Sequence, residues 1–161
     1  MEIYQKTEIA LKSGFYQEKE IKIMANYMAT ARTNYFRVTD ENRYSELFDK
    51  LCCEDYIEDF TENKDGIIYH GFGAYGTIDY LVGDEDDCEY DWDEFITELK
   101  KILPDDEAFI YMESGYEKLR YVTGFVLVVT NKETKSMSLD RWAKEQAKLL
   151  LGNDFETKTE Y

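Results

Sequence analysis

The sequence predicts an α+β protein: a mostly antiparallel sheet with about three helices packed on one of its faces. Three observations predict it. Apolar residues recur at helical spacing in three separate stretches. Runs rich in Tyr, Thr, Phe, Val and Ile lie between them. Those runs come together in pairs, in the rough order β-α-β-β-α-β-β-α, which favours antiparallel pairing over a parallel sheet with crossover helices. The chain has 161 residues, 43 % of them hydrophobic and 16 % aromatic, which fits one domain with a real core.

Residues 1–23 mix charges of both signs with few apolar positions and read as a loosely attached N-terminal extension. The single domain is expected over 24–152. Its first strand spans 26–38, rich in Tyr, Thr, Phe and Val. Thr39 or Asp40 can cap the helix that follows, in which Tyr44, Leu47, Phe48 and Leu51 recur at i, i+3, i+4 and i+7. Residues 54–65 are polar and read as a connection, ending in Asp65-Gly66, a hairpin-turn signal. Strands are expected over 67–70 and 74–82. Asp91, with Glu94 three residues on, makes a capping-box-like start for a helix striped by Trp92, Phe95, Ile96, Leu99, Ile102 and Leu103, and Pro104 stops it. Strands are expected over 108–112 and 119–130. The second is so continuously apolar that it reads as a central strand buried on both faces. After a turn at 131–135 and a short strand, Ser138 opens a last helix carrying Leu139, Trp142, Ala143, Ala147 and Leu150, and Gly152 closes it. Residues 153–161 read as a polar tail.

Charge narrows the function. There are 19 Lys+Arg against 35 Asp+Glu, a net of −16. Bare nucleic acid and anionic membranes are poor partners for such a chain, because binding them relies on Lys and Arg. Basic protein surfaces, cations or cationic ligands are the expected partners. Three cysteines, Cys52, Cys53 and Cys88, form no disulfide framework and fit a reducing cytoplasm. No apolar run approaches the ~20 residues that span a bilayer, and no signal-peptide pattern opens the chain.

Gly71-Phe-Gly73-Ala-Tyr-Gly76 matches the G-x-G-x-x-G dinucleotide pattern. That chemistry needs a helix N-terminus after the glycines to receive the pyrophosphate, and here a strand-like run follows. Glycines serving a turn or bulge between strands are the better expectation. Residues 84–94 hold eight acids and no base: Asp84, Glu85, Asp86, Asp87, Glu89, Asp91, Asp93 and Glu94. Counted from Asp87, acids fall at positions 1, 3, 5, 7 and 12 of a Ca²⁺ loop, but position 6, which requires Gly, is Trp92. A solvated face is one reading of the run and an interaction face another. Carboxylates held at phosphate-like spacing can occupy a groove built for nucleic acid, reusing the attraction that such grooves exert on DNA or RNA. In that reading Asp93, Glu94 and Glu98 point outward from the second helix. Glu54, Asp55, Glu58, Asp59 and Glu62 extend the acidic track, and Tyr56 and Tyr90 supply apolar contacts.

His70 is the only histidine, and a Cys–His nucleophile would need it beside one of the three cysteines. No catalytic residue, metal centre or cofactor is expected. Arg32 and Arg37 lie five residues apart on the first expected strand and so on opposite faces. They suit either nearby acids or a phosphate or carboxylate ligand.

Ala31-Arg-Thr-Asn-Tyr-Phe-Arg-Val38, Tyr69-His-Gly-Phe-Gly-Ala-Tyr-Gly76 and Leu119-Arg-Tyr-Val-Thr-Gly124 resemble segments of small acidic proteins encoded by phages and conjugative elements of Gram-positive gut bacteria. The resemblance covers roughly residues 24–161 and transfers no functional residues. Its genomic context implies an inhibitor of host defence, of the anti-CRISPR or anti-restriction kind, acting in the host cytoplasm on the basic surface of a nucleic-acid-binding protein. The alternatives are a small-molecule or signalling-ligand binder using residues 71–76 and the arginines, and an accessory subunit of a mobile-element complex.

Overall fold

The computed structural model describes residues 27–83, 88–118 and 120–159. The expected extension over 1–23 and the acids Asp84, Glu85, Asp86 and Asp87 lie outside the described residues. Nine strands and three helices are described: β1 (Met28–Thr33), α1 (Glu41–Phe48), β2 (Leu51–Cys52), β3 (Ile57–Lys64), β4 (Ile67–Ala74), β5 (Asp79–Val82), β6 (Glu89–Tyr90), α2 (Trp92–Ile102), β7 (Phe109–Glu117), β8 (Tyr121–Val129), β9 (Thr134–Ser138) and α3 (Leu139–Leu151). Six strands form one sheet in the order β3-β4-β1-β7-β8-β9, and β2-β5-β6 form a smaller one. Every pairing is antiparallel. The α+β class and the mostly antiparallel sheet follow the sequence expectation.

Both sheet-facing helices start at the residues that can cap them. Asp40 accepts from Arg43 N at 2.9 Å and Asp91 from Glu94 N at 3.0 Å, each satisfying one of the orphan donors of a first turn. α2 buries Phe95, Ile96, Leu99 and Ile102, the predicted stripe. α1 buries Tyr44 and Leu47, but Leu51 has left the helix for β2. Between these helices and the large sheet lies an aromatic core of Phe36, Phe72, Phe95 and Phe109. Phe36 meets Phe109 edge-on at 5.1 Å between ring centroids, a geometry that aromatic quadrupoles favour.

Strand alternation divides the large sheet into a helix-covered face and a reverse face. Ala31 pairs with Ala74, and both are buried under the helices; Arg32 pairs with Gly73 on the reverse face. The third helix departs from the expectation that all helices share one face. A Cβ on Gly124 would stand 3.3 Å from Leu139 Cβ, and Gly124 alternates with Phe125, whose ring faces Tyr111 and so the α2 side. α3 therefore begins over the reverse face, at the β8–β9 edge. Ser138 stands at its N-cap without a side-chain capping bond, and Gly152 closes it in a positive-φ conformation.

Four further expectations are corrected. The polar stretch 54–65 is largely strand: β3 is an edge strand, open to water along one side, so it needs few apolar residues. Asp65 and Gly66, at φ 55° and 85°, form the tight turn that joins it to β4. The first strand ends at Thr33, so Arg37 lies beyond it rather than on its opposite face. β8 is the fifth strand of six, and Val122 on its reverse face is 65 % exposed. Its apolar run is therefore not that of a strand buried on both sides. Gly71 and Gly73 lie inside β4, not in a turn.

Candidate functional site

The 31–38 segment is explained by structure. Thr33 Oγ1 accepts from Phe72 N at 2.9 Å and donates to Asn34 O at 2.9 Å. Asn34 Oδ1 accepts from Ile110 N at 2.7 Å, and its Nδ2 donates to Ala108 O at 2.8 Å. Phe36 is fully buried. Arg37 pairs with Asp106 at 3.0 Å and with Glu107 at 2.9 Å. Its guanidinium holds the Asp106 carboxyl below the usual range. Arg43 is likewise engaged by Glu46 and Glu98, each at 2.7 Å. Arg32 differs: its guanidinium lies over the Phe60 ring, 4.8 Å from the centroid.

The glycine segment has no dinucleotide geometry. β4 holds Gly71 and Gly73 in its ladder, and Gly76 leads to β5 rather than to a helix N-terminus. These glycines permit close strand approach. A Cβ on Gly73 would stand 2.9 Å from Ala31 O, and one on Gly71 3.1 Å from Asn34 O. His70 is buried in β4, with Nε2 2.8 Å from Glu41 Oε2 and its ring 4.3 Å from that of Tyr44. Cys52 instead sits against Asp79 O, and burial pushes its thiol pKa up. The pair needed for Cys–His chemistry is thus not assembled between these two residues.

The acidic residues do assemble, at one end of the molecule. β1 starts beside the end of β7, since Met28 pairs with Tyr116. Gly76 N donates to Ala29 O at 3.0 Å, which brings the end of β4 to the same place. The small sheet completes this pole. Cys52 pairs with Asp79, and Leu81 with Tyr90. A cleft of about 350 Å³ is lined there by Tyr27, Glu54, Thr77, Asp79 and Tyr90, among others. Next to it lies a second cleft of about 440 Å³ to which Tyr27, Glu54, Asp55 and Tyr75 contribute. Asp91, on leaving β6, donates its backbone N–H to Tyr80 O at 2.9 Å. The first turn of α2, with Asp93 and Glu94, therefore rises from the same end.

No model of a known family, no curated protein and no solved structure matches this chain.

The predicted site residues divide by what their carboxylates do. Glu54, Asp55, Glu89, Asp93 and Glu94 are exposed and have no cationic partner among the described residues. Tyr90, between them, is 70 % exposed. Asp91 is occupied as the cap of α2. Glu98 is occupied by Lys101 and Arg43, which hold its pKa below the ordinary value. β3 alternates, so its acids do not form one track. Glu58 and Glu62 pair with Gly73 and Tyr69 on the reverse face, while Asp59 pairs with Phe72 on the helix face. No group of three His, Cys, Asp or Glu side chains with metal-site geometry occurs among the described residues. No helix among them is long and apolar enough to cross a membrane.

Sequence reasoning missed the support beneath this pole. Glu113 on β7 accepts hydroxyls from Tyr111 at 2.7 Å, Tyr27 at 3.2 Å and Thr77 at 3.3 Å. Tyr27 also shares a hydrogen bond of 2.9 Å with Thr123. The Tyr27 ring lies where a Cβ on Gly115 would stand. The glycine was the one available signal, and it is uninformative without knowing which residue crosses it.

Proposed function

We propose that this chain is a non-enzymatic binding protein whose acidic pole occupies the basic nucleic-acid groove of another protein and competes there with DNA or RNA. The observation that carries the reading is the pole itself. Glu54, Asp55, Glu89, Asp93 and Glu94 stand exposed at this end with no cationic partner among the described residues, and the exposed Tyr90 shares a cleft with Glu54. Carboxylates left unpaired on a folded scaffold keep their full attraction for a basic surface, whereas paired ones such as Glu98 have already spent it. Exposed Tyr side chains add the contact area that interface cores favour. In sequence, Asp84–Asp87 continue the same acidic run.

The target class follows from the resemblance to small acidic proteins of phages and conjugative elements. The partner is then a host defence nuclease of the CRISPR or restriction kind, and the site of action is the host cytoplasm.

The test is capture of partners from host lysate by the tagged chain at low and high salt. A nucleic-acid enzyme that is enriched at low salt and lost steeply at high salt is the expected result. Replacing Glu54, Asp55, Glu89, Asp93 and Glu94 with their amides should weaken that capture at least tenfold while the circular dichroism spectrum is retained. Capture that survives the five replacements overturns the reading.

A further inference from the structure

We propose that the reverse face of the six-stranded sheet is the interface of a two-fold homodimer, in which Arg32 of each copy meets Glu58 of the other. This goes beyond the acidic pole, which it borders: Met28, Tyr116 and Val122 of this face also line the second cleft beside Glu54 and Asp55.

The first observation is where the acids are not. Four central strands offer fifteen reverse-face positions: 28, 30 and 32 on β1; 67, 69, 71 and 73 on β4; 110, 112, 114 and 116 on β7; 122, 124, 126 and 128 on β8. None is Asp or Glu, in a chain with 35 acids among 161 residues. Apolar side chains stand exposed there instead, Met28, Met112, Tyr116 and Val122 among them. Depletion of carboxylates, with enrichment of Met, Tyr and Arg, is the composition of an interface core. An exposed apolar field of this kind marks an interaction surface rather than a solvated one.

The second observation selects the occupant. Of the five arginines, Arg37, Arg43, Arg120 and Arg141 have carboxylate partners. Arg32 has none among the described residues and instead covers the Phe60 ring. Glu58 likewise has no cationic partner among them. Both residues pair with Gly73, one from each side, so they share the reverse face with only a glycine between them. A small cavity of about 130 Å³ opens there, lined by Arg32, Tyr56, Glu58, Phe60 and Tyr75. A two-fold contact is isologous: if residue i meets residue j, then j meets i. One unpaired cation and one unpaired anion on the same face are what such a contact needs, forming two reciprocal ion pairs. The central strands of this face carry no carboxylate, so two chains of net charge −16 can approach there with least repulsion.

The area is of the right order. Strands β3, β4, β1 and β7, about 4.8 Å apart and roughly seven residues long, make a face of roughly 450 Å², more than half of the roughly 800 Å² per partner of a standard interface. Leu139 and Trp142 of α3, both half-exposed at the β8–β9 edge, widen it.

Sedimentation of the full chain from low micromolar to about 0.1 mM tests the proposal. A dimer mass is expected. Arg32→Glu and Glu58→Arg should each weaken association at least tenfold, and the double swap R32E/E58R should restore it. If R32E loses its circular dichroism spectrum, Val122→Lys replaces it, with the same tenfold weakening expected. A monomer across the whole range assigns the face to some other partner and overturns the proposal. So does a dimer that these variants leave unchanged, or one that the double swap does not restore.

Discussion

Asn34 takes over the β1–β7 ladder where the backbone of β1 stops. Its own N–H donates to Ile110 O at 3.0 Å, while its side chain accepts from Ile110 N and donates to Ala108 O. One residue thus carries three of the bonds that hold the exit of β1 to the entry of β7. Asn34→Ala removes two of them and strands a part-buried N–H and a part-buried carbonyl. The expected loss is about 2 kcal/mol, by the cost of unsatisfied buried groups. Urea unfolding with an unchanged m-value should report it. Asn34→Asp, which keeps the acceptor and loses the donor, should fall between the two.

Gly73 should be harder to replace than the turn glycine Gly66. Alanine there would bring Cβ to 2.9 Å from the Ala31 carbonyl oxygen, a backbone atom with no rotamer to change. The two strands must then separate at the Arg32–Gly73 pair. Gly73→Ala should cost about 1–3 kcal/mol, in the range of overpacking. Gly66→Ala meets no atom within 4 Å but must hold φ near 85°, so its cost is backbone strain alone, about 1 kcal/mol. Melting temperatures of the two variants should rank in that order.

Tyr44 offers a stabilising change. Its hydroxyl oxygen is buried and has no hydrogen-bond partner among the described residues. Burial, followed by the nearby Asp59 and Glu41 carboxylates, pushes its pKa up. Tyr44→Phe keeps the ring against Phe36, Phe48 and His70 and removes a desolvated hydroxyl. A gain of about 1 kcal/mol is expected from the cost of burying an unpaired donor. A measured loss of that size would show that the hydroxyl is satisfied in solution.

Glu98 sets an acid limit. Lys101 and Arg43 lower its folded pKa, so below its unfolded pKa of about 4.3 the unfolded chain binds a proton that the native chain resists. Stability from these pairs is therefore complete above about pH 5 and is lost as pH falls through the folded value. Glu98→Gln removes the titration. Its melting temperature should fall less than that of the wild type between about pH 5 and pH 3. Parallel pH profiles would refute the assignment.

What the chain discloses on inspection follows from how local each signal is. α1 and α2 are legible because cap and stripe lie within about a dozen residues: Asp40 or Asp91, then the buried positions. Pro104 marks the stop of α2, whereas the stripe of α1 runs on in the sequence to Leu51, which belongs to β2. β3 is illegible because an edge strand escapes the burial that writes a pattern into a sequence. The glycines of β4 misled because the reason for them, carbonyls of Ala31 and Asn34 some forty residues earlier in the chain, is tertiary. The acidic run was visible as composition. Its division into free carboxylates and occupied ones was not. That depends on Asp91 facing a helix terminus and on Arg43 reaching Glu98 across 55 residues.

The strand order also bears on how the chain comes to be folded. β1 occupies the interior of the sheet, yet it is the first of the described strands, and its partner on one side is β7. Met28 meets Tyr116 across 88 residues. During synthesis β1 gains β4 first, and its other edge stays unpaired until more than half of the chain has followed. Closure of so long a loop is entropically slow. The early intermediate carries an open edge bearing Met28, Thr30 and Arg32. Refolding should therefore be limited by docking of the β7–β8 hairpin, and the yield of native chain should fall with concentration when that step is outpaced by encounters between half-built sheets.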